Sequence, residues 1–141
     1  MAGILPEIEA RRARRALSYA PVAEAALERM LAAAVLAPSC MNNQPWRFVA
    51  VTAAEPLERV RAALSSGNAW ALRAPCIVAA VTAPELDCRL SDRRDYALFD
   101  LGLAVANLVL QGTREGLVAH PIAGFRPEVV KDALGIPAET I

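Results

Sequence analysis

The chain has 141 residues, the size of one ordinary domain, and 55% of them are hydrophobic, which is ample material for a core. Fifteen basic residues balance fifteen acidic ones, so no global positive field points to a nucleic acid or an anionic membrane as a partner. The longest apolar region, residues 97–110, is shorter than the roughly 20 residues of a membrane span and contains Asp100 and Asn107. It therefore predicts a buried helix.

The three cysteines, Cys40, Cys76 and Cys88, are odd in number and show no Cys-x-x-Cys spacing. This pattern favours neither a disulfide framework nor a zinc site. Charged residues are frequent among the first fifteen, the apolar stretch after them contains Glu24, Glu28 and Arg29, and no signal peptide is visible. We therefore expect a cytoplasmic protein without a metal.

Hydrophobic periodicity and turn residues predict the elements along the chain. In chain order we expect a helix over 4–17, a helix over 23–36, a strand over 47–52, a helix over 55–64, a strand over 76–82, a loop over 84–94, a helix over 95–115, a strand over 117–120 and a helix over 127–134.

Mixed helices and strands predict an α+β fold in a single domain spanning residues 1–141. The run CIVAAVT at 76–82 has the composition of a strand buried on both faces. Three strands make a thin sheet. We therefore expect a further strand that is either missing or supplied by another chain.

The segment APSCMNNQPW at residues 37–46 is a polar, amide-rich loop between an apolar helix and a strand. Ser39, Asn42, Asn43 and Gln44 offer donors and acceptors that could bind a polar heterocycle. The alternative is a hydrogen-bonded connector, because turns favour these residue types in any case.

Two further segments carry candidate binding groups. RRARR at residues 11–15 could clamp a phosphate through its guanidinium groups, or form a solvated basic face. HPIAGF at residues 120–125 could bring backbone close to a ligand at Gly124, or be an ordinary turn. His120, the one histidine, has no apparent catalytic partner, and Trp46 and Trp70 look like isolated aromatics.

Together these segments resemble the nitroreductase family of FMN-dependent oxidoreductases. The family's R-R-S-x-R element is similar to residues 11–15, where Ala13 replaces the serine, and its A-P-S-x-x-N-x-Q-P-W element matches residues 37–46 in full. A Pro-(Ile/Met)-x-Gly-Phe element matches residues 121–125. Pro21-Val22, the turn Gly67-Asn68 and a long helix around residues 99–112 complete the order, over residues 8–136.

The resemblance implies a nitroreductase-like, three-layer α+β fold, with a central, mostly antiparallel sheet flanked by helices. It also implies a homodimer with FMN at the subunit interface. Arginines would line the phosphate, the ribityl chain and the pyrimidine edge, and the 37–46 loop would approach from the other subunit. The implied FMN-binding residues are Arg11, Arg12, Ala13, Arg15, Pro38, Ser39, Cys40, Asn42, Gln44, Asn68, Pro121, Ile122, Ala123 and Gly124.

The implied reaction carries hydride from NAD(P)H through FMN to a nitro compound, a quinone or a similar small electrophile. No side chain then needs a catalytic role, because the flavin supplies the chemistry. One alternative is a reductase or dehydrogenase of a particular small metabolite, such as an enal or semialdehyde, with specificity in loop 87–94. A third hypothesis is a non-catalytic remnant that binds flavin loosely or only dimerises.

Family members usually continue past the GIP segment at residues 135–137 into another strand and a basic residue that reaches the FMN phosphate. The resemblance therefore predicts a chain truncated at its C-terminus. It would be either a fragment of a longer protein or a short relative with weaker FMN binding.

Overall fold

A computed structural model describes residues 3–141. Helices and strands alternate in the order expected for an α+β chain, and three short 3-10 turns lie at Cys40–Asn42, Ser66–Arg73 and Pro84–Leu86. The regular elements are α1 (Pro6–Ala10), α2 (Glu24–Ala34), β1 (Arg47–Val51), α3 (Ala54–Arg61), β2 (Ile77–Val81), α4 (Ala97–Arg114) and α5 (Pro127–Leu134).

The packing of α2 against α4 forms the main core. Met30 and Ala34 on α2 meet Ala104 and Leu108 on α4, and Trp46 closes the cluster. The helices approach closely at Gly112 of α4, where an added Cβ would lie 2.9 Å from Met30 Cε. Burial of such side chains contributes roughly 1.5–3 kcal/mol each, so this helix pair holds the fold together.

The helix α4 is buried on one face only. Leu101, Ala104 and Leu108 face the core, whereas Leu98 and Phe99 are exposed. The predicted helix over 95–115 is therefore confirmed within two residues, but it is not buried all round. Within residues 3–141, no helix combines the length and the hydropathy that crossing a bilayer would require.

The sheet of the described chain has two antiparallel strands, with Arg47 opposite Val81 and Val51 opposite Ile77. Just beyond β2, Thr82 and Ile141 exchange two backbone hydrogen bonds of 3.0 and 2.7 Å. The expected burial of residues 76–82 on both faces is wrong, because most of β2 is only half-buried and one residue of it is exposed. A two-stranded sheet leaves each strand with an open edge.

The third predicted strand, over residues 117–120, is wrong. Those residues form no ladder. The Leu117 amide instead donates to the Gly112 carbonyl at 2.8 Å, which caps α4. Because the Leu117 amide is bonded to the end of α4, it is not available to pair with a neighbouring strand.

The predicted helix over residues 4–17 is also too long, since α1 ends at Ala10. Its five residues bury no side chain. The Arg12 guanidinium donates to the carbonyls of Glu9 and Arg11, both at 2.7 Å, and Arg11 is already extended, with ψ 130°. A helix this short gains too little to propagate without an apolar face.

The α3 and α5 helices form a second, smaller core. Leu57 and Val60 of α3 pack with Val51 of β1 and Ala133 of α5. The α5 helix runs from Pro127 to Leu134 and is followed by Gly135, whose φ of 64° is left-handed. This is the usual glycine C-cap, and it confirms the predicted bounds 127–134.

An ion pair fastens α2 to the end of α4. Arg29 donates two hydrogen bonds to Glu115, at 2.8 and 2.6 Å, and Gln111 donates a third at 2.7 Å. These bonds, above all those from Arg29, lower the pKa of Glu115 to about 2.

We expect this ion pair to stabilise the fold at neutral pH and to lose its effect in acid. Because the folded-state pKa lies below the ordinary value of 4.5, the contribution is complete above that value and disappears as the pH falls towards 2. Urea unfolding of the natural chain and Glu115→Gln across this range measures it. The difference in unfolding free energy should shrink towards acid, whereas Glu139→Gln, at an exposed loop position, should show little difference at any pH.

Candidate functional site

Three hydrogen bonds to one carbonyl join the Gly67-Asn68 turn to residues 121–124. The Gly124 carbonyl oxygen accepts from the Ser65 amide at 3.0 Å, the Ser65 hydroxyl at 2.8 Å and Asn68 Nδ2 at 2.8 Å. A Leu64–Phe125 bridge continues the contact. The structure thus brings together two segments that the sequence predicts to serve one site.

The arginine segment, residues 11–15, contacts the same region through the rings of Trp70 and His120. The Trp70 and His120 rings lie 4.3 Å apart, and the Arg15 guanidinium carbon lies 5.8 Å from the Trp70 ring centre. His120 Nδ1 lies 3.2 Å from the Arg14 carbonyl oxygen, so this nitrogen carries the proton when it donates. The interpretation of Trp70 as an isolated aromatic is therefore wrong.

Several polar groups of this region have no partner within residues 3–141. Trp70 Nε1 is buried and makes no hydrogen bond there. The backbone amides of Ile122, Ala123 and Gly124 donate none either. In the same described range, no acid forms an ion pair with the arginines of residues 11–15. The Arg15 charge, the Trp70 Nε1–H and the free amides that follow His120 therefore lie in one region, a combination that suits an anionic, hydrogen-bonding ligand.

The loop at residues 37–46 is held in an unusual backbone conformation. Met41, Asn42 and Gln44 have φ values of 52°, 56° and 51°. Left-handed non-glycine residues cost about 1–3 kcal/mol each and persist only where surrounding contacts hold them. Here the Ser39 hydroxyl accepts the Gln44 amide at 2.9 Å, and Trp46 is 4% exposed in the main core.

A buried acid of α4 supplies another anchor for this loop. Asp100 is 2% exposed, and its Oδ2 accepts the Cys40 amide at 2.6 Å. Burial raises the pKa of Asp100, and the neighbouring Asp87 carboxylate raises it further, while the Cys40 amide lowers it. Sequence reasoning did not place Asp100 in the site, although an acid within an apolar helix was a signal for it.

A disulfide links the same loop to residues 84–96. Cys40 and Cys88 are bonded, with Cα atoms 6.1 Å apart, while Cys76 stays free. Asn43 Nδ2 also lies 3.3 Å from Asp87 Oδ1 and 3.4 Å from the Cys88 sulfur. The expectation of no disulfide is wrong because the pair is 48 residues apart. Tertiary packing, not local spacing, brings the sulfurs together.

The predicted site residues thus form two separate groups. Within residues 3–141, no hydrogen bond, ion pair or ring contact joins the arginine segment and residues 120–124 to the 37–46 loop. Two surface hollows, of about 480 and 180 Å³, lie beside α5 and β1 and are lined by none of the predicted site residues.

Sequence comparison decides the family. Residues 8–69 and 65–141 match the sequence model of the Nitroreductase family. The chain belongs to the nitroreductase family. A provisionally named NADH dehydrogenase/NAD(P)H nitroreductase of Archaeoglobus fulgidus is 28% identical over 97% of this chain and 79% of its own length.

Solved structures of the nitroreductase family confirm the fold. A family protein from Clostridium novyi NT superimposes with a TM-score of 0.86 at 26% identity, over 95% of this chain and 78% of its own. An oxidoreductase described as containing FMN superimposes with a TM-score of 0.85 at 27% identity, over 97% of this chain and 71% of its own. The nitroreductase-like α+β fold is thereby confirmed. The roles of the individual site residues stay predictions.

Gly124 offers a direct test of the first group. A Cβ at this position would lie 2.6 Å from Asn68 Nδ2 and 2.7 Å from Ser65 Oγ. Gly124→Ala should therefore displace both side chains and lower the unfolding free energy by about 1–3 kcal/mol. Gly67→Ala, where nothing lies within 4 Å of the added carbon, is the control and should change urea stability little. Equal stability of both variants would contradict the assigned contact.

Asp100 offers a second test. Asp100→Ala leaves the Cys40 amide without its acceptor, which should cost about 1–3 kcal/mol in urea unfolding. Asp100→Asn keeps an oxygen acceptor and should lose less. If both substitutions cost the same, the hydrogen bond is not what anchors the loop.

Proposed function

We propose that this chain is an FMN-binding oxidoreductase that carries hydride from NAD(P)H to a small electrophile such as a nitro compound or a quinone. The observation that carries the proposal is that Arg15, which has no ion pair within residues 3–141, lies over Trp70, whose buried Nε1 has no partner there, while Trp70 stacks on His120, which precedes the free amides of residues 122–124. The FMN of a relative at 27% identity supports the choice of cofactor.

The arginines suit the anionic parts of FMN. Guanidinium groups bind phosphate oxygens bidentately, and those of residues 11–15 are not neutralised by acids within residues 3–141. A cation beside the pyrimidine edge also favours the reduced, anionic ring. Arg15, which lies over Trp70, is the best-positioned of them.

Asn68 and the 121–124 segment suit the ring itself. Because Asn68 Nδ2 donates to the Gly124 carbonyl, its Oδ1 is left to accept an N–H of the ring. The amides of Ile122, Ala123 and Gly124 are free to donate within the described chain. When bound, FMN supplies the hydride chemistry; the protein positions the ring and sets its electrostatics.

A homodimer would bring the two groups of site residues together. The 37–46 loop (the motif loop) and the group formed by residues 11–15 and 120–124 (the arginine group) do not meet within the described chain, and α4 exposes Leu98 at 57% and Phe99 at 61%. Met41 on the motif loop is 88% exposed and Leu36 beside it 81%. Exposed apolar groups of this size mark interaction surfaces. We therefore propose that the 37–46 loop of each subunit completes the partner's FMN site.

The test is FMN titration of the purified protein, followed by its visible spectrum. Arg15→Ala should weaken binding about tenfold or more, because one charge-assisted hydrogen bond contributes about 1.5–3 kcal/mol. Arg59→Ala, which removes an exposed arginine of α3 paired with Glu55, is the matched control and should bind normally. A colourless protein that takes up no added FMN would contradict the proposal and favour a non-catalytic remnant.

A substrate panel distinguishes the two enzymatic readings. Rapid NAD(P)H-dependent turnover of nitroaromatics or quinones supports the reaction proposed here. If these are inert and one enal, semialdehyde or other small metabolite turns over rapidly, the metabolite reductase is correct, since one fold hosts several chemistries.

A further inference from the structure

Three atoms of the types that bind soft metals meet between two loops. The sulfurs of Cys40 and Cys88 and a carboxylate oxygen of Asp87 all lie within 4.8 Å of one another. Cys40 begins the 3-10 turn of the 37–46 loop, and the other two residues directly follow the turn Pro84–Leu86. The Cys40 amide also donates to Asp100 of α4, and within residues 3–141 no hydrogen bond, ion pair or ring contact joins this cluster to residues 11–15 or 120–124.

The Asp87 carboxylate is incompletely satisfied. Its Oδ1 accepts the Cys88 amide at 2.8 Å and Asn43 Nδ2 at 3.3 Å. Its Oδ2 is buried, and within residues 3–141 no fixed N–H or O–H donor reaches it; the neighbouring Asp100 carboxyl donates to Asp87 only when it is protonated. Buried carboxylate oxygens without a partner are rare, because desolvation is costly unless a donor or a cation compensates for it.

Asp100 adds a second carboxyl group beside Asp87. It is 2% exposed and accepts the Cys40 amide at 2.6 Å. Within the described chain, neither acid forms an ion pair with a lysine or an arginine. Two acids thus share a poorly hydrated place without a basic residue, where a cation would be favoured.

We propose that Cys40, Cys88 and Asp87 bind a thiophilic divalent cation of the zinc class in the reduced protein, and that the disulfide is the metal-free, oxidised state of the same site. Two sulfurs and one oxygen select zinc over magnesium or calcium, which prefer oxygen ligands. The Cα separation of 6.1 Å lets both cysteines reach one ion, since Zn–S bonds are about 2.3 Å long. Water would complete the tetrahedron.

The exchange between the two states balances. A dithiol reductant gives two electrons and two protons to the Cys40–Cys88 bond and itself closes to a disulfide. The two thiols then release two protons as they bind the cation as thiolates. Either state adds a link between the motif loop and residues 84–96, whereas the metal-free dithiol relies on the contacts of Asn43 with Asp87 and Cys88.

Cobalt uptake tests the site directly. The full chain is reduced with a phosphine, which takes oxygen from water to become its oxide and leaves two thiols, and is then titrated with Co²⁺. We expect one Co²⁺ per chain, with sulfur-to-cobalt charge-transfer absorption that Zn²⁺ abolishes by displacement. The oxidised chain should bind none. Failure of the reduced chain to bind one equivalent would overturn the proposal, whatever the outcome of the FMN titration.

Matched variants locate the ligands. Cys88→Ser should abolish the charge-transfer band at one equivalent of Co²⁺, and Asp87→Asn should weaken binding at least about tenfold. Cys76→Ser removes the free cysteine outside the cluster and should bind normally. Full binding by Cys88→Ser, or loss of binding in Cys76→Ser alone, contradicts the assignment.

Alkylation of the natural chain avoids any dependence on the folding of variants. In the reduced protein, Zn²⁺ should protect Cys40 and Cys88 from modification, because a metal-bound sulfur is no longer a free thiolate nucleophile, as mapped by mass spectrometry of peptides. Cys76 should react at the same rate with and without the metal. Equal protection of all three cysteines, or of none, would show that the cluster is not the binding site.

Discussion

The close packing of α2 against α4 determines where the candidate site residues lie. The Met30 side chain of α2 packs against Gly112 of α4, where there is no Cβ, and Trp46 is buried in the same core. Because Trp46 is the last residue of the motif loop, burying its ring fixes one end of that loop. The other end follows α2 after two residues, and Ala37 belongs to the same cluster. Both ends are therefore held by one hydrophobic cluster, whose burial is the largest stabilising contribution in such a core.

Sequence patterns predicted the elements that carry their own hydrophobic periodicity. The α2, α4 and α5 helices appear within about two residues of their predicted bounds. Prediction failed where a neighbour decides the backbone conformation. Arg12 takes the carbonyls at the end of α1, and the Gly112 carbonyl takes the amide that would have begun a strand at Leu117. Composition and residue spacing reveal neither of these two hydrogen-bonding arrangements.

The sequence predicted which segments form the candidate site, but it did not predict the contacts between their side chains. Motif order indicated that Asn68 and Gly124 serve one site, and three hydrogen bonds to the Gly124 carbonyl join their segments. Motif order did not indicate a role for Trp70. Its partners, His120 and Arg15, lie far from it in the sequence and are brought to it only by the fold. Long-range pairs of this kind depend on packing, as does the Cys40–Cys88 bond.

The strained motif loop has several independent attachments, whereas residues 84–96 have few. The loop keeps the Ser39–Gln44 hydrogen bond, the Asp100 acceptor and the buried Trp46 ring whatever the state of Cys40. Residues 84–96 pair mainly with themselves, through the Arg89–Asp95 bridge and the turn before it.

Breaking the cysteine link would therefore leave the left-handed backbone of the motif loop largely in place and loosen residues 84–96 instead. Local opening occurs first where few contacts oppose it. If substrates are selected by residues 87–94, the oxidation state of Cys40 and Cys88 would then act on substrate selection more than on cofactor binding. The arginine group, which shares no contact with either loop in the described chain, would be unaffected.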